Sequence, residues 1–366
     1  MTLIKEVIQV LEQLAPPAYQ ESYDNAGLIV GSGQIEATGV LLTLDVTEEV
    51  IAEAIERNCN LIVAHHPIVF KGLKKLNGKN YVERTVLKAI KNDIAIYATH
   101  TNLDHVTNGV NWQIANLLGL ENIRVLAPKK QILSKLTFFS PVENTQSILN
   151  ALHEAGAGNI GNYSNCSFRT EGTGTFLPNS AANPVIGENG KQEEVNEHRA
   201  ELIFPSYLES AVVNTLKKVH PYEEVAYYLQ SLENENQDVG AGAVGELPEP
   251  IETDDFLRLL KDKMHLQVIK HTKPVRDKVR RIAVCGGAGS FLLPNAIGSG
   301  ADVFVTADYK YHEFFDAENS IVICDIGHYE SEVFTKNLLY NYLSGKFPNF
   351  ALCLSEVNTN PVRYFV

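Results

Sequence analysis

Two hydrophobic rhythms alternate along the chain. Apolar residues recur at helical spacing over residues 3–14, 48–57 and 82–91, and short unbroken apolar runs stand beside them at 39–44, 61–64 and 94–98. Such runs suit strands buried on both faces of a parallel sheet, and strands separated by about ten to fifteen helical residues build βαβ units. The same rhythm returns late in the chain, with a helix expected over 254–263, strands over 281–285, 302–306 and 321–326, and a helix after each of the last two strands. Between these regions the pattern changes. Residues 133–232 read as KLTFFSP, a helix over 146–155, a long polar stretch, AELIFP, a helix over 207–219, and EVAYYLQSL. Strand–helix–strand repeated once is the order of a ferredoxin-like module. Residues 171–198 hold most of the polar, glycine-rich positions and are expected to form an exposed flap. Gly240, Gly242 and Gly245 fit GxGxxG, but they follow an acidic polar segment, so 238–250 reads as a linker. Gly286, Gly287 and Gly289 do follow a strand, which leaves an anion-binding loop or close packing under a neighbouring strand.

The expected fold class is therefore α/β, a mainly parallel sheet domain flanked by helices, with an inserted ferredoxin-like α+β domain. Residues 1–130 and 239–366 form the outer domain and 131–238 the insertion. A length of 366 residues agrees with two domains. The formal charge of −13 disfavours nucleic acid as a partner, because non-specific binding needs a basic footprint. No apolar run approaches the roughly 18 residues that cross a bilayer, and the N-terminus lacks the apolar core of a signal peptide. The five cysteines are odd in number, widely spaced and without a CxxC, so neither a disulfide framework nor a thiolate zinc site is expected. Cys285 and Cys324 sit inside apolar runs and read as buried structural thiols. A cytoplasmic location follows as an expectation.

Chemistry enters where three buried runs end. His65 and His66 follow LIVA, Asp104 follows IAIYATHTNL, and His328 with Glu332 follow IVICDIG. Imidazoles and carboxylates at strand ends suit a metal site in an α/β protein, provided the three segments share one sheet edge. His328 and Glu332 are one helical turn apart and can face one point, although a surface His–Glu pair has the same spacing. Vicinal His65 and His66 diverge, so each imidazole can serve a different ion. Five ligands would nearly saturate one ion. Shared between two ions about 3.5–4 Å apart, they leave positions for water. Two divalent ions per chain are expected, and zinc, iron and manganese all suit these ligands. Asp308 and His312 lie one turn apart after another strand. His312 and His100 are either proton donors to a leaving group or structural histidines.

With these motifs in place, the chain resembles the Nif-three-like family, also called GTP cyclohydrolase 1 type 2 homologues. The resemblance rests on ESYDNAGLIVG, AHHP, HTNLD, TADYKYHEFFDA and GHYESE in this order. It implies a dinuclear site on His65, His66, Asp104, His328 and Glu332, and places Asp24, Asn25 and Gly27 nearby. It also implies a homo-oligomer, a hexameric ring with its sites facing an internal cavity. One departure is Ala307, where the family often has glycine. The insertion resembles a CutA-like or signal-protein-like module through VHPYEEVAYYL, whose core is His220-Pro221-Tyr222-Glu223. The implied activity is metal-dependent hydrolysis of a nucleotide-like or other small anionic substrate. The alternative is a non-catalytic, metal-binding regulatory or scaffold ring protein.

Overall fold

The computed structural model describes residues 2–365. Its elements begin α1 (Ile4–Leu14), β1 (Gly27–Val30), β2 (Val40–Thr43), α2 (Glu48–Glu56), β3 (Leu61–Ala64), α3 (Tyr81–Lys91), β4 (Ala95–Ala98), α4 (Thr101–Asp104), α5 (Val110–Leu117) and β5 (Glu121–Lys129). The middle of the chain supplies β6 (Leu133–Pro141), α6 (Thr145–Glu154), β7 (Phe168–Phe176), β8 (Glu193–Pro205), α7 (Glu209–Val219) and β9 (Tyr227–Leu232). The remainder runs β10 (Asn236–Glu252), α8 (Thr253–Lys263), β11 (Lys270–His271), β12 (Lys278–Ala288), α9 (Leu293–Gly298), β13 (Val303–Ala307), β14 (Val322–Asp325), α10 (His328–Glu332), α11 (Thr335–Lys346) and β15 (Leu352–Leu354). Two compact units result. One runs to Ala127 and resumes at Asp238; the other is Pro128–Gln237.

The first unit holds two sheets. In the order β1-β4-β3-β2-β15, all neighbours are parallel except the short edge strand β1. Every residue of β2, β3 and β4 is buried, which is why these strands read as continuous apolar runs. Leu41, Ile62 and Ile96 from the strands pack on Val50, Ile51 and Val86 from α2 and α3. Both helices start at polar caps, Thr47 accepting from the Val50 amide and Asn80 from the Glu83 amide. The second sheet runs β11-β14-β13-β12-β10-β5, with β12, β13 and β14 parallel.

Three expectations need correction here. The segments bearing the expected ligands do not end on one sheet: β3 and β4 belong to the first, β14 to the second. Residues 238–250 are not a linker but part of β10, antiparallel to β12. Its small residues reflect close backbone approach rather than disorder, since a Cβ on Gly242 would meet the Val284 carbonyl oxygen at 3.0 Å. Of the polar region 171–198, residues 177–192 do form a loop, but 171–176 and 193–198 on either side belong to the paired strands β7 and β8.

The second unit follows the order β6-α6-β7-β8-α7-β9, with sheet order β7-β8-β6-β9 and antiparallel pairing throughout. That is the expected ferredoxin-like arrangement. Both helices lie on one face, where Ile148, Leu152, Val212 and Leu216 meet Leu136, Phe138, Leu202 and Phe204. Among the described residues, no helix is long and apolar enough to cross a membrane.

Candidate metal centre

Parallel strands deliver their C-terminal residues to one edge, and each sheet of the first unit does so here. β3 ends at Ala64, so His65 and His66 stand beyond the strand, their amides held by the Leu44 carbonyl. Freed from strand alternation, the two rings sit only 5.0 Å apart and need not face opposite sides. β4 leads through His100 into α4, which carries Asp104. From the other sheet, β14 leads into α10, where His328 and Glu332 span one turn and Nε2 lies 3.1 Å from Oε2.

Each imidazole uses Nδ1 against a fixed acceptor. His65 Nδ1 donates to the Thr99 carbonyl at 2.8 Å, His66 Nδ1 to Asp45 at 2.8 Å, His100 Nδ1 to Asp24 at 2.7 Å and His328 Nδ1 to Asp308 at 2.7 Å. Nε2 of each ring is then the nitrogen turned toward the ligand group, oriented as metal-binding histidines are. The ligand atoms of His65, Asp104 and Glu332 lie within 4.8 Å of one another, as do those of His66, His328 and Glu332, and those of His65, His66 and His100. These groups are able to hold a metal ion.

The innermost trio offers the clearest test of that fit. His65 Nε2 and Asp104 Oδ1 are buried and have no hydrogen-bond partner. Nε2 lies 3.6 Å from Asp104 Oδ1 and 3.7 Å from Glu332 Oε1, too long for hydrogen bonds. Ligands at about 2.1 Å from a common tetrahedral ion sit roughly 3.4 Å from one another. The spacing therefore suits a shared cation better than direct pairing. Glu332 turns its other oxygen outward, with Oε2 2.9 Å from His66 Nε2 and 3.1 Å from His328 Nε2. One carboxylate thus faces both trios.

Glycine makes the room. A Cβ on Gly287, which has φ +62°, would lie 2.5 Å from Glu332 Oε1. The glycine cluster after the β12 run therefore serves close packing against a candidate ligand. The Ala307 departure is accommodated as well: Ala307 ends β13 in ordinary backbone, and Asp308 itself takes the left-handed conformation at φ +57°.

The charges are arranged for a cation. Burial opposes a charged ring at His66, but bonds to Asp45 and Glu332 outweigh it and lift the imidazole to about 10. The same opposition is overcome at His328 by Glu332 and Asp308, which lift it to about 9. Burial, reinforced by the Glu332 charge, pushes Asp104 up to about 7. Glu332 resists burial through its histidine partners and stays well below the usual carboxylate range. Without metal, protons on His66 and His328 offset the charge of Glu332.

The structure thus brings together all five expected ligands and adds His100 to the group. Asp308 acts on the group through His328. His312 is not brought in, because the chain after Asp308 forms a 3-10 segment, Tyr311–Ala317, rather than the α-helix that one-turn spacing assumed. Its exposed ring packs against Tyr311 and Phe315. Asp24 also accepts from the Thr101 amide and hydroxyl, while Asn25 donates to the Val69 carbonyl, so the DNAG turn fixes both His100 and the loop after His66. Sequence reading missed Asp45. Its one signal was a carboxylate just after β2, the strand beside β3. On the His66 and His328 side opens a cleft of about 610 Å³, bordered by Lys270, Tyr329 and Tyr364. On the His100 side, Phe70 packs edge-on to His100 and Tyr23 packs on Phe70, with Tyr23 64% and Phe70 45% exposed.

Comparison with known proteins agrees with this architecture. A sequence profile of the family described as Duf34/NIF3 (NGG1p interacting factor 3) matches residues 2–361. The chain is 39% identical over 365 residues to a Bacillus subtilis protein named GTP cyclohydrolase 1 type 2 homolog, with 98% of each chain covered. A solved Bacillus cereus protein related to NIF3 superposes with a TM-score of 0.87 at 38% identity, covering 99% of both chains. The Staphylococcus aureus protein SA1388 gives 0.79 at 31% identity, covering 100% of this chain and 99% of the other.

Proposed function

The chain belongs to the Duf34/NIF3 family, and from that premise we propose that it is a hydrolase using two divalent metal ions on a nucleotide-like or other small anionic substrate. The observation that carries this reading is Glu332, with Oε1 toward the His65–Asp104 trio and Oε2 toward His66 and His328. Bound there, divalent ions would supply Lewis acidity and lower the pKa of water. The protein's own residues prepare that chemistry. Thr99, Asp45, Asp24 and Asp308 fix four ring orientations, so little reorganisation remains when a cation arrives. His100 borders both the ligand group and the aromatic pair Tyr23–Phe70, a position suited to exchanging a proton with bound substrate. An exposed aromatic pair suits a planar ring, and the loop after His66 carries exposed Lys71, Lys74 and Lys75, which suit an anion. The name of the Bacillus subtilis relative, GTP cyclohydrolase 1 type 2 homolog, supports a purine nucleotide as the first substrate to try. Zinc, iron and manganese all match the ligand chemistry.

The test begins with elemental analysis of the wild type and of Glu332→Ala. About two equivalents per chain, falling to well under one in the variant, support a shared dinuclear centre. Metal-loaded protein is then offered GTP, other nucleotides and simple phosphate esters. Turnover lost in Glu332→Ala supports the hydrolase. Two bound metals with no product from any of these substrates would move the assignment to a metal-dependent binding protein.

A further inference from the structure

The inserted unit carries a cavity of its own. Its helices cover only one face of the β7-β8-β6-β9 sheet. Side chains alternate along strands, so Phe139, Phe176, Glu197 and Tyr228 project from the opposite face. There the 177–192 loop folds over the sheet and leaves a space of about 440 Å³, within the range of small-molecule sites. Asn183 in that loop donates its amide to Glu223 at 2.8 Å, which ties the loop to the His220-Pro221-Tyr222-Glu223 motif.

The lining has a definite chemical character. Four aromatic rings, Phe139, Phe176, Tyr222 and Tyr228, share it with three carboxylates, Glu197, Glu223 and Glu224, and no lysine, arginine or histidine contributes. Glu197 is only 8% exposed and has no ion pair among the described residues. The Tyr222 hydroxyl is buried near that carboxylate without a hydrogen bond of good geometry to it or to any other group. His220 leaves no nitrogen for a ligand, since Nε2 donates to the Phe139 carbonyl and Nδ1 accepts from the Tyr222 amide. Its part is to hold Tyr222 in the wall.

A buried carboxylate without a cation is costly, and aromatic faces attract organic cations. We propose that this cavity binds a small organic amine, with the ammonium against Glu197 and the apolar body among Phe139, Phe176 and Tyr228. The amine site is separate from the metal centre, all of whose ligands lie in the other unit.

The test uses the full-length, metal-loaded protein and ligand-observed NMR. Phenethylamine and cyclohexylmethylamine are each titrated to about 5 mM against the matching alcohols, 2-phenylethanol and cyclohexylmethanol. At least one amine is expected to bind about tenfold tighter than its alcohol, and Glu197→Gln is expected to remove that preference. Tyr228→Ala, at a mostly exposed ring, is expected to weaken amine and alcohol alike by about threefold or more. Metal content should not change in either variant. Equal binding of amine and alcohol, a preference that survives Glu197→Gln, or no binding of either amine overturns the proposal.

Discussion

At the level of single residues, the centre works by fixing Nδ1 so that Nε2 has one direction left. Asp45 does this for His66 at 2.8 Å. Asp45→Asn retains the shape and removes the charge that steadies the ring, so metal affinity is expected to fall by about 10- to 100-fold. Competition with a chromophoric chelator measures this, and unchanged affinity would remove Asp45 from the account. Gly287 acts by absence. In Gly287→Ala the new Cβ would occupy space 2.5 Å from Glu332 Oε1, at a φ of +62° that side chains resist. Bound metal is expected to drop well below the wild-type content while far-ultraviolet circular dichroism stays native. These two positions also mark how far the sequence could be read. His65, His66, Asp104, His328 and Glu332 were legible because His and carboxylate at strand ends are unusual there. Asp45 was not, because an Asp after a strand is an ordinary turn residue and its partner lies 21 positions away. His312 looked equivalent to His100, but it lies on a 3-10 segment with its ring against Tyr311 and Phe315, whereas His100 is held by Asp24 beside the ligand group.

At the level of elements, β2, β3, β4, β13 and β14 were visible as unbroken apolar runs because burial on both faces erases alternation. Which sheet each run joins was not visible, since an apolar run carries no record of its neighbour. That is why one shared edge was expected and two facing edges were found. β10 was hidden for a different reason. Its glycines and prolines are loop residues by habit, but in this strand glycine permits contact. Gly242 has φ +66°, and a Cβ there would meet the Val284 carbonyl oxygen at 3.0 Å and side chains of Leu292 and Leu126 at 3.1 and 3.2 Å. Gly242→Ala is therefore expected to cost about 2 kcal/mol of stability, seen as a lower denaturant midpoint, with metal content unchanged. A midpoint within error of wild type would mean that the neighbours yield and that close approach is not what requires glycine here.

For the whole molecule, the protons on the ligand group tie stability to both pH and metal. In metal-free protein the His66 and His328 imidazoles are lifted to about 10 and about 9, well above the unfolded value near 6.5. A group raised in this way stabilises the fold fully below its unfolded pKa, and that stability is lost as pH rises through the folded one. Asp104, raised to about 7, has the same sign over the lower window, because its proton favours the folded state from roughly pH 4 up to 7. Metal-free protein should therefore lose melting temperature steadily as pH climbs toward 10. Metal binding opposes that trend. An incoming divalent ion must displace the imidazole protons, so its affinity rises as they become easier to remove. The gap in melting temperature between metal-loaded and chelator-treated protein is accordingly expected to widen from about pH 6.5 to about pH 8.5. Calorimetric scans at matched ionic strength measure both curves. In Glu332→Ala the gap should shrink at every pH, because the carboxylate that both trios share and that holds the protons in place is gone. A gap that is constant with pH in the wild type would mean that the ions bind away from these imidazoles.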